Sequence, residues 1–87
     1  MTITEALAAA QARLTLAANT EAKLEAQLLL QHVLQVNRAW LIAHENDTLS
    51  PDIQTEFEAL LIRRLQGEPM AYILGEREFY GLVLQVT

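Results

Sequence analysis

Apolar residues recur along most of this chain at intervals of three and four, the period of one helix face; near its end the interval becomes two. Ile3, Leu7, Ala10 and Leu14 share such a face, with Leu16 and Ala17 near its end, and predict a helix over about 3–17. Thr2 can cap it, and Glu5 stands three residues later. In that spacing the hydroxyl and the carboxylate each satisfy a free backbone N–H. The alanines favour helix but supply little burial. Asn19 and Thr20 interrupt the pattern, and either can cap the next helix. Glu21 and Glu25 suit its positive end. Its apolar face is Ala22, Ala26, Leu29, Leu30, Val33 and Leu34, widened by Leu28 and Val36, which makes it the expected centre of a bundle.

Asn37 separates this segment from a shorter helix expected over roughly 38–44, anchored by Trp40 and Leu41. Trp40 can close one end of a small core, with its indole N–H reaching a backbone carbonyl, or stand exposed as a partner-binding aromatic. The fourth helix has a clear start. Ser50 is a natural cap, Pro51 suits the first helical position, and Asp52 adds negative charge to the first turn. Ile53, Phe57, Leu60, Leu61 and Leu65 form its apolar stripe, and Glu56 and Glu58 read as a solvated outer side. Arg63 and Arg64 oppose the negative end, and Gly67 is the expected left-handed terminator. Pro69 restarts a short helix over about 69–74, with Gly75 ending it and Tyr72 and Ile73 turned back onto the bundle.

From Phe79 onward Leu82, Leu84 and Val86 fall on one side and Val83, Gln85 and Thr87 on the other, a strand pattern. A lone strand is not stable in water. The expected fold is therefore all-α: a small four- to five-helix bundle over 1–75, followed at 76–87 by the first strand of an interdomain β-hairpin that leads to a further domain. An exposed strand rich in valine and leucine also predicts self-association through residues 82–87.

Composition narrows the function classes. The chain has 87 residues, no cysteine, and a formal charge of −5 from 11 acidic and 6 basic residues. Disulfide frameworks and cysteine-held metals are excluded, and a nucleic-acid clamp is disfavoured. No basic start followed by an apolar run marks a targeting segment, and no apolar stretch approaches the ~20 residues that span a bilayer. The expectation is a cytoplasmic protein without membrane contact. Candidate chemistry is sparse. His32 reads as solvent-facing or hydrogen-bonded, and His44-Glu45-Asn46-Asp47 as a solvated turn without metal-ligand spacing. The glycines do not form a phosphate-binding or dinucleotide fingerprint, and Walker, zinc-finger and HExxH patterns are absent. No catalytic, cofactor-binding or metal-binding residue is assigned to these 87 residues.

The run Arg63-Arg64-Leu65-Gln66-Gly67-Glu68-Pro69-Met70-Ala71-Tyr72-Ile73-Leu74-Gly75-Glu76-Arg77-Glu78-Phe79-Tyr80-Gly81 resembles the segment that joins the two domains of the bacterial release factor glutamine methyltransferases, the PrmC/HemK family. The likeness is densest from Gly67 to Gly81, and the stretch from Glu25 to Asn46 is similar to that family's second and third helices. The resemblance implies an N-terminal helical recognition domain, then a β-hairpin, then a Rossmann-like domain that binds S-adenosyl-L-methionine. It implies methyl transfer to the side-chain nitrogen of the glutamine in the GGQ motif of class I peptide chain release factors, which would be the partners. It marks Gly67, Glu68, Pro69, Ala71, Tyr72, Gly75, Phe79, Tyr80 and Gly81 as interdomain joint residues, none of them catalytic. The family's glycine-rich cofactor loop and Asn-Pro-Pro-Tyr motif do not occur in these 87 residues, so the chain alone is expected to be inactive and to hold no cofactor.

Two other classes fit the same pattern less fully. One is a free-standing helical interaction or dimerisation module that uses its terminal strand for β-addition. The other is a DNA-binding helical domain, which the charge and the lack of a basic recognition helix disfavour.

Overall fold

The computed structural model describes residues 1–75. Four named helices run α1 Ile3–Leu16, α2 Ala22–Leu34, α3 Arg38–Ala43 and α4 Pro51–Leu65. A fifth helical segment, α5, covers 70–75. The described part is thus a five-helix all-α bundle. No strand occurs among the described residues beyond an isolated bridge between Thr2 and Thr48. The expected strand 82–87, the hairpin start at 76–87, and Phe79, Tyr80 and Gly81 lie outside the described residues.

Local chemistry sets most helix boundaries. The Thr2 hydroxyl accepts the Glu5 N–H at 3.2 Å, and the Glu5 carboxylate accepts the Thr2 N–H at 2.8 Å, completing the capping box. Those hydrogen bonds hold the Glu5 carboxyl below the ordinary carboxylate range. The Asn37 side chain accepts the Trp40 N–H, and Ser50 accepts the Ile53 N–H ahead of Pro51.

The start of α2 differs from expectation. Neither Asn19 nor Thr20 is its cap; Glu21 occupies that position without a side-chain cap bond. The cause lies in how α1 ends. Ala18 is left-handed at φ 64°, with its N–H donated to Thr15 and the Asn19 N–H donated back to Leu14. Asn19 thereby belongs to the terminator of α1. Its side-chain oxygen accepts the Glu21 N–H, and its amide donates to Glu25.

The core joins Ile3, Ala6, Ala10 and Leu14 of α1 to Ala26, Leu29, Leu30 and Val33 of α2, with Phe57 and Leu61 of α4 closing it. Helix α2 is central, contacting α1, α3 and α4. Small alanines on α1 let it approach α2 closely, while Leu29 and Leu30 are fully buried and stabilise by about 1.5–3 kcal/mol each relative to exposure. Leu7 packs at the edge of this core, whereas Leu16 is 88% exposed, so the apolar face of α1 stops at Leu14.

Leu41 anchors α3, and Leu49 anchors the segment after it. That segment also holds the first turn of α1. Asp47 and Glu45 carbonyls accept the Ile3 and Thr4 N–H groups, and the Leu49 N–H donates to Met1. Trp40 is half-buried and stacks on His44 with ring centroids 4.1 Å apart, and His44 Nδ1 lies 2.7 Å from Asp47 Oδ2. No helix among the described residues is long and apolar enough to cross a membrane.

Candidate functional site: where the chain leaves the bundle

The joint residues anticipated from sequence begin where α4 ends. Gly67 has φ +100°, its N–H donates to Arg64 O at 3.0 Å, and the Glu68 N–H donates to Arg63 O at 3.1 Å. These paired bonds close α4 in a Schellman turn. No atom lies within 4 Å of a Cβ built at Gly67, so its requirement for glycine is one of backbone conformation and not of space.

Two arginines of the last helical turn hold the residue that follows. The Arg63 guanidinium grips the Glu68 carboxylate through two nitrogens, with Nε to Oε1 at 3.1 Å. Arg64 donates from Nη1 to the Glu68 carbonyl at 3.2 Å. Its other side grips Glu25 on α2, with Nε to Oε1 at 2.7 Å and Nη2 to Oε2 at 3.2 Å. Asn19 donates to the same Glu25 oxygen at 2.6 Å. Glu25 is 8% exposed, yet every buried side-chain nitrogen or oxygen among the described residues has a hydrogen-bond partner.

The electrostatics follow from these contacts. The Arg64 hydrogen bonds, aided by Asn19 and the Arg64 charge, hold the Glu25 carboxyl below the usual range against the opposing effect of burial. The bond from Arg63 lowers that of Glu68. Arg64 is raised by the same bond to Glu25. Such carboxylates are settled anions at neutral pH, suited to holding segments together and not to donating protons. No group of three or more metal-ligating side chains gathers among the described residues.

Beyond Glu68, Pro69 O accepts the Tyr72 and Ile73 N–H groups at the start of α5. Ile73 is fully buried, and Met70 and Leu74 are partly buried against the same core. Tyr72 is 71% exposed, contrary to the expectation that it turns onto the bundle. Adjacent side chains on a helix point about 100° apart, and on this short segment Ile73 is the one turned to the core. Ala71 and Pro69 are exposed as well, as is Gly67. Gly75 is helical and not left-handed, and the residues that follow it lie outside the described ones.

Sequence reasoning missed the Glu25–Arg64 pair, whose partners lie 39 residues apart. It also took Glu58 for a solvated carboxylate, whereas Arg13 Nη1 pairs with it at 2.5 Å, both side chains being about half exposed. The same α1–α4 side carries an open apolar groove lined by Ala6, Ala9, Phe57, Leu61 and Ile62. A second groove runs between Leu28, His32, Val36, Trp40 and Leu74.

The family profile described as the PrmC N-terminal domain matches residues 5–75. This chain belongs to the PrmC N-terminal domain family. The chain is similar to proteins named release factor glutamine methyltransferase. That of Bordetella pertussis is 52% identical over 59 residues, covering 68% of this chain and 22% of the relative. That of Vibrio cholerae is 44% identical over 87 residues, covering 100% of this chain and 30% of the relative. That of Cereibacter sphaeroides is 39% identical over 87 residues, covering 100% and 31% respectively. This chain thus spans less than a third of the length of these curated relatives. No solved structure matches it.

Proposed function

We propose that this chain is the release-factor-recognition domain of a cytoplasmic protein-glutamine N5-methyltransferase. In this reading, residues 1–75 grip a class I peptide chain release factor. Residues 76–87 begin the β-hairpin that leads to an S-adenosyl-L-methionine-binding domain. Gly67, Glu68, Pro69, Ala71, Tyr72, Gly75, Phe79, Tyr80 and Gly81 form the joint. The observation that carries the reading is the family match over 5–75, the same span that folds as the helical bundle.

The physical logic suits the reaction. A carboxamide nitrogen is a poor nucleophile, and it must meet the methyl carbon in line with the departing sulfur. Contacts remote from the reacting atoms can provide that alignment. A bundle with settled ion pairs is a suitable rigid support for such contacts. No catalytic or cofactor-binding role is assigned to any residue of this chain, and methyl transfer by the chain alone is not expected.

The test compares the complete methyltransferase with a version lacking residues 1–75, using an intact release factor and a short GGQ peptide as substrates. Loss of the domain should lower kcat/KM for the intact factor by roughly tenfold or more while changing that for the peptide by less than about threefold. Equal loss on both substrates, or no loss on the factor, would count against recognition by this domain.

A further inference from the structure

The chain leaves α4 at a point where three separate segments converge. Asn19 comes from the α1–α2 connection, Glu25 from α2, and Arg63, Arg64 and Glu68 from the end of α4. Arg64 is the hub. One edge of its guanidinium engages the Glu25 carboxylate, and a nitrogen of the same group reaches the Glu68 carbonyl. Arg63 takes the Glu68 side chain from the other direction. Glu68 is therefore held by its backbone and its side chain at once. Five residues further on, Ile73 is buried in the core.

We propose that Arg63, Arg64, Glu25 and Glu68 are positioning residues: they form a clasp that fixes the direction in which the chain leaves the bundle. A Schellman turn alone leaves the next residues free to swing, because Gly67 and its exposed surroundings offer no other restraint. A buried Ile73 alone is one anchor, about which the short segment can pivot. Two anchors, at Glu68 and at Ile73, define an axis. The clasp also registers that axis against α2 through Glu25, and so against the centre of the bundle. The Arg63–Glu68 part of the clasp lies outside the apolar core, whose members include Leu29, Leu30, Phe57 and Ile73. Its consequence for a domain attached beyond residue 75 rests on the function proposed above; the direction itself is a property of this chain.

The chain has no cysteine, so two introduced thiols can be spin-labelled without background. One pair, Ala12→Cys with Gly75→Cys, reports the exit direction. A second pair, Ala12→Cys with Asp52→Cys, reports the bundle. Ala12 and Asp52 are exposed, and nothing lies within 4 Å of a Cβ at Gly75. Distances are read by pulsed electron resonance in the full 87-residue chain. The clasp predicts one narrow distribution for the exit pair, broadening roughly twofold or shifting its mean in Glu68→Gln and Glu68→Ala, with the bundle pair unchanged. Glu68→Asp, which keeps the charge, should lie between the parent and Glu68→Gln. An exit distribution that is already broad in the parent would overturn the proposal. So would one that stays the same in both neutral variants, or broadening of both pairs together. No release factor or methyl donor is involved, so failure here leaves the methyltransferase reading standing, and the reverse holds too.

Discussion

Replacing Arg64 by methionine should cost this bundle a large part of its stability. The substitution keeps an unbranched side chain across the α2–α4 contact but strips the Glu25 carboxylate of its cation, leaving the Asn19 amide as its remaining polar partner. Two unit charges ~4 Å apart attract by about 4 kcal/mol at an effective dielectric constant near 20. Removing one member of a fully buried pair costs about 3–5 kcal/mol. Here the side chains retain 25% and 11% of their exposure, for Arg64 and Glu25 respectively, so solvent screens part of the effect. We expect a loss of about 1.5–3 kcal/mol, or a melting temperature lower by roughly 10 °C or more for a domain of this size. The double change Glu25→Leu with Arg64→Met leaves no buried charge and should fall within about 1 kcal/mol of the parent.

The pH dependence carries an independent sign. The folded carboxyl of Glu25 is lowered relative to the unfolded chain, so its contribution is complete above the ordinary carboxylate range. It fades as pH falls through the lowered folded value. The gap between the parent and Arg64→Met should therefore be widest near neutrality and narrow below about pH 4. Thermal denaturation followed by circular dichroism from pH 7 down to pH 3 measures both. A melting temperature within about 2 °C of the parent at pH 7 would refute this account of the pair. So would a gap that does not change with acidity.

Four further substitutions probe single features. Gly67→Ala keeps all surrounding space but forces a Cβ into φ +100°, and should lower stability by about 1–2 kcal/mol in a denaturant titration. Ala18→Gly relieves the left-handed strain at φ 64° and should raise stability by a few tenths to about 1 kcal/mol by the same measurement. Ile73→Ala removes a fully buried side chain and should cost about 2–4 kcal/mol, whereas Tyr72→Ala, at an exposed neighbour, should change stability by less than about 0.5 kcal/mol.

Legibility in the sequence followed the range of the interaction. Thr2 with Glu5, Ser50 with Pro51, and Gly67 all act within a few residues of themselves, and the expected helix starts and the end of α4 were found at those places. The periodicity of α2 marked its centrality because a helix touched on several sides must be apolar over a wide face. The start of α2 was less legible, since an alanine adopting the left-handed terminator carries no sequence signal, and it drew Asn19 into the end of α1. Tyr72 and Ile73 differ by one step on a helical turn, and only the path of the chain after Glu68 decides which faces the core. The pairs Glu25–Arg64 and Arg13–Glu58 join residues 39 and 45 apart, and no local pattern couples them. Phe79, Tyr80 and Gly81 carried much of the family resemblance, while the profile match rests on residues 5–75.

The proposal that this bundle recognises a release factor can be tested by titrating the isotope-labelled chain with an intact class I release factor and following its backbone amide resonances. Recognition should give saturable shifts confined to one face of the bundle, while the core amides of Leu29, Leu30 and Leu61 stay in place. Amide spectra unchanged up to a release factor concentration of about 1 mM, or shifts spread evenly over the chain without saturation, would contradict it.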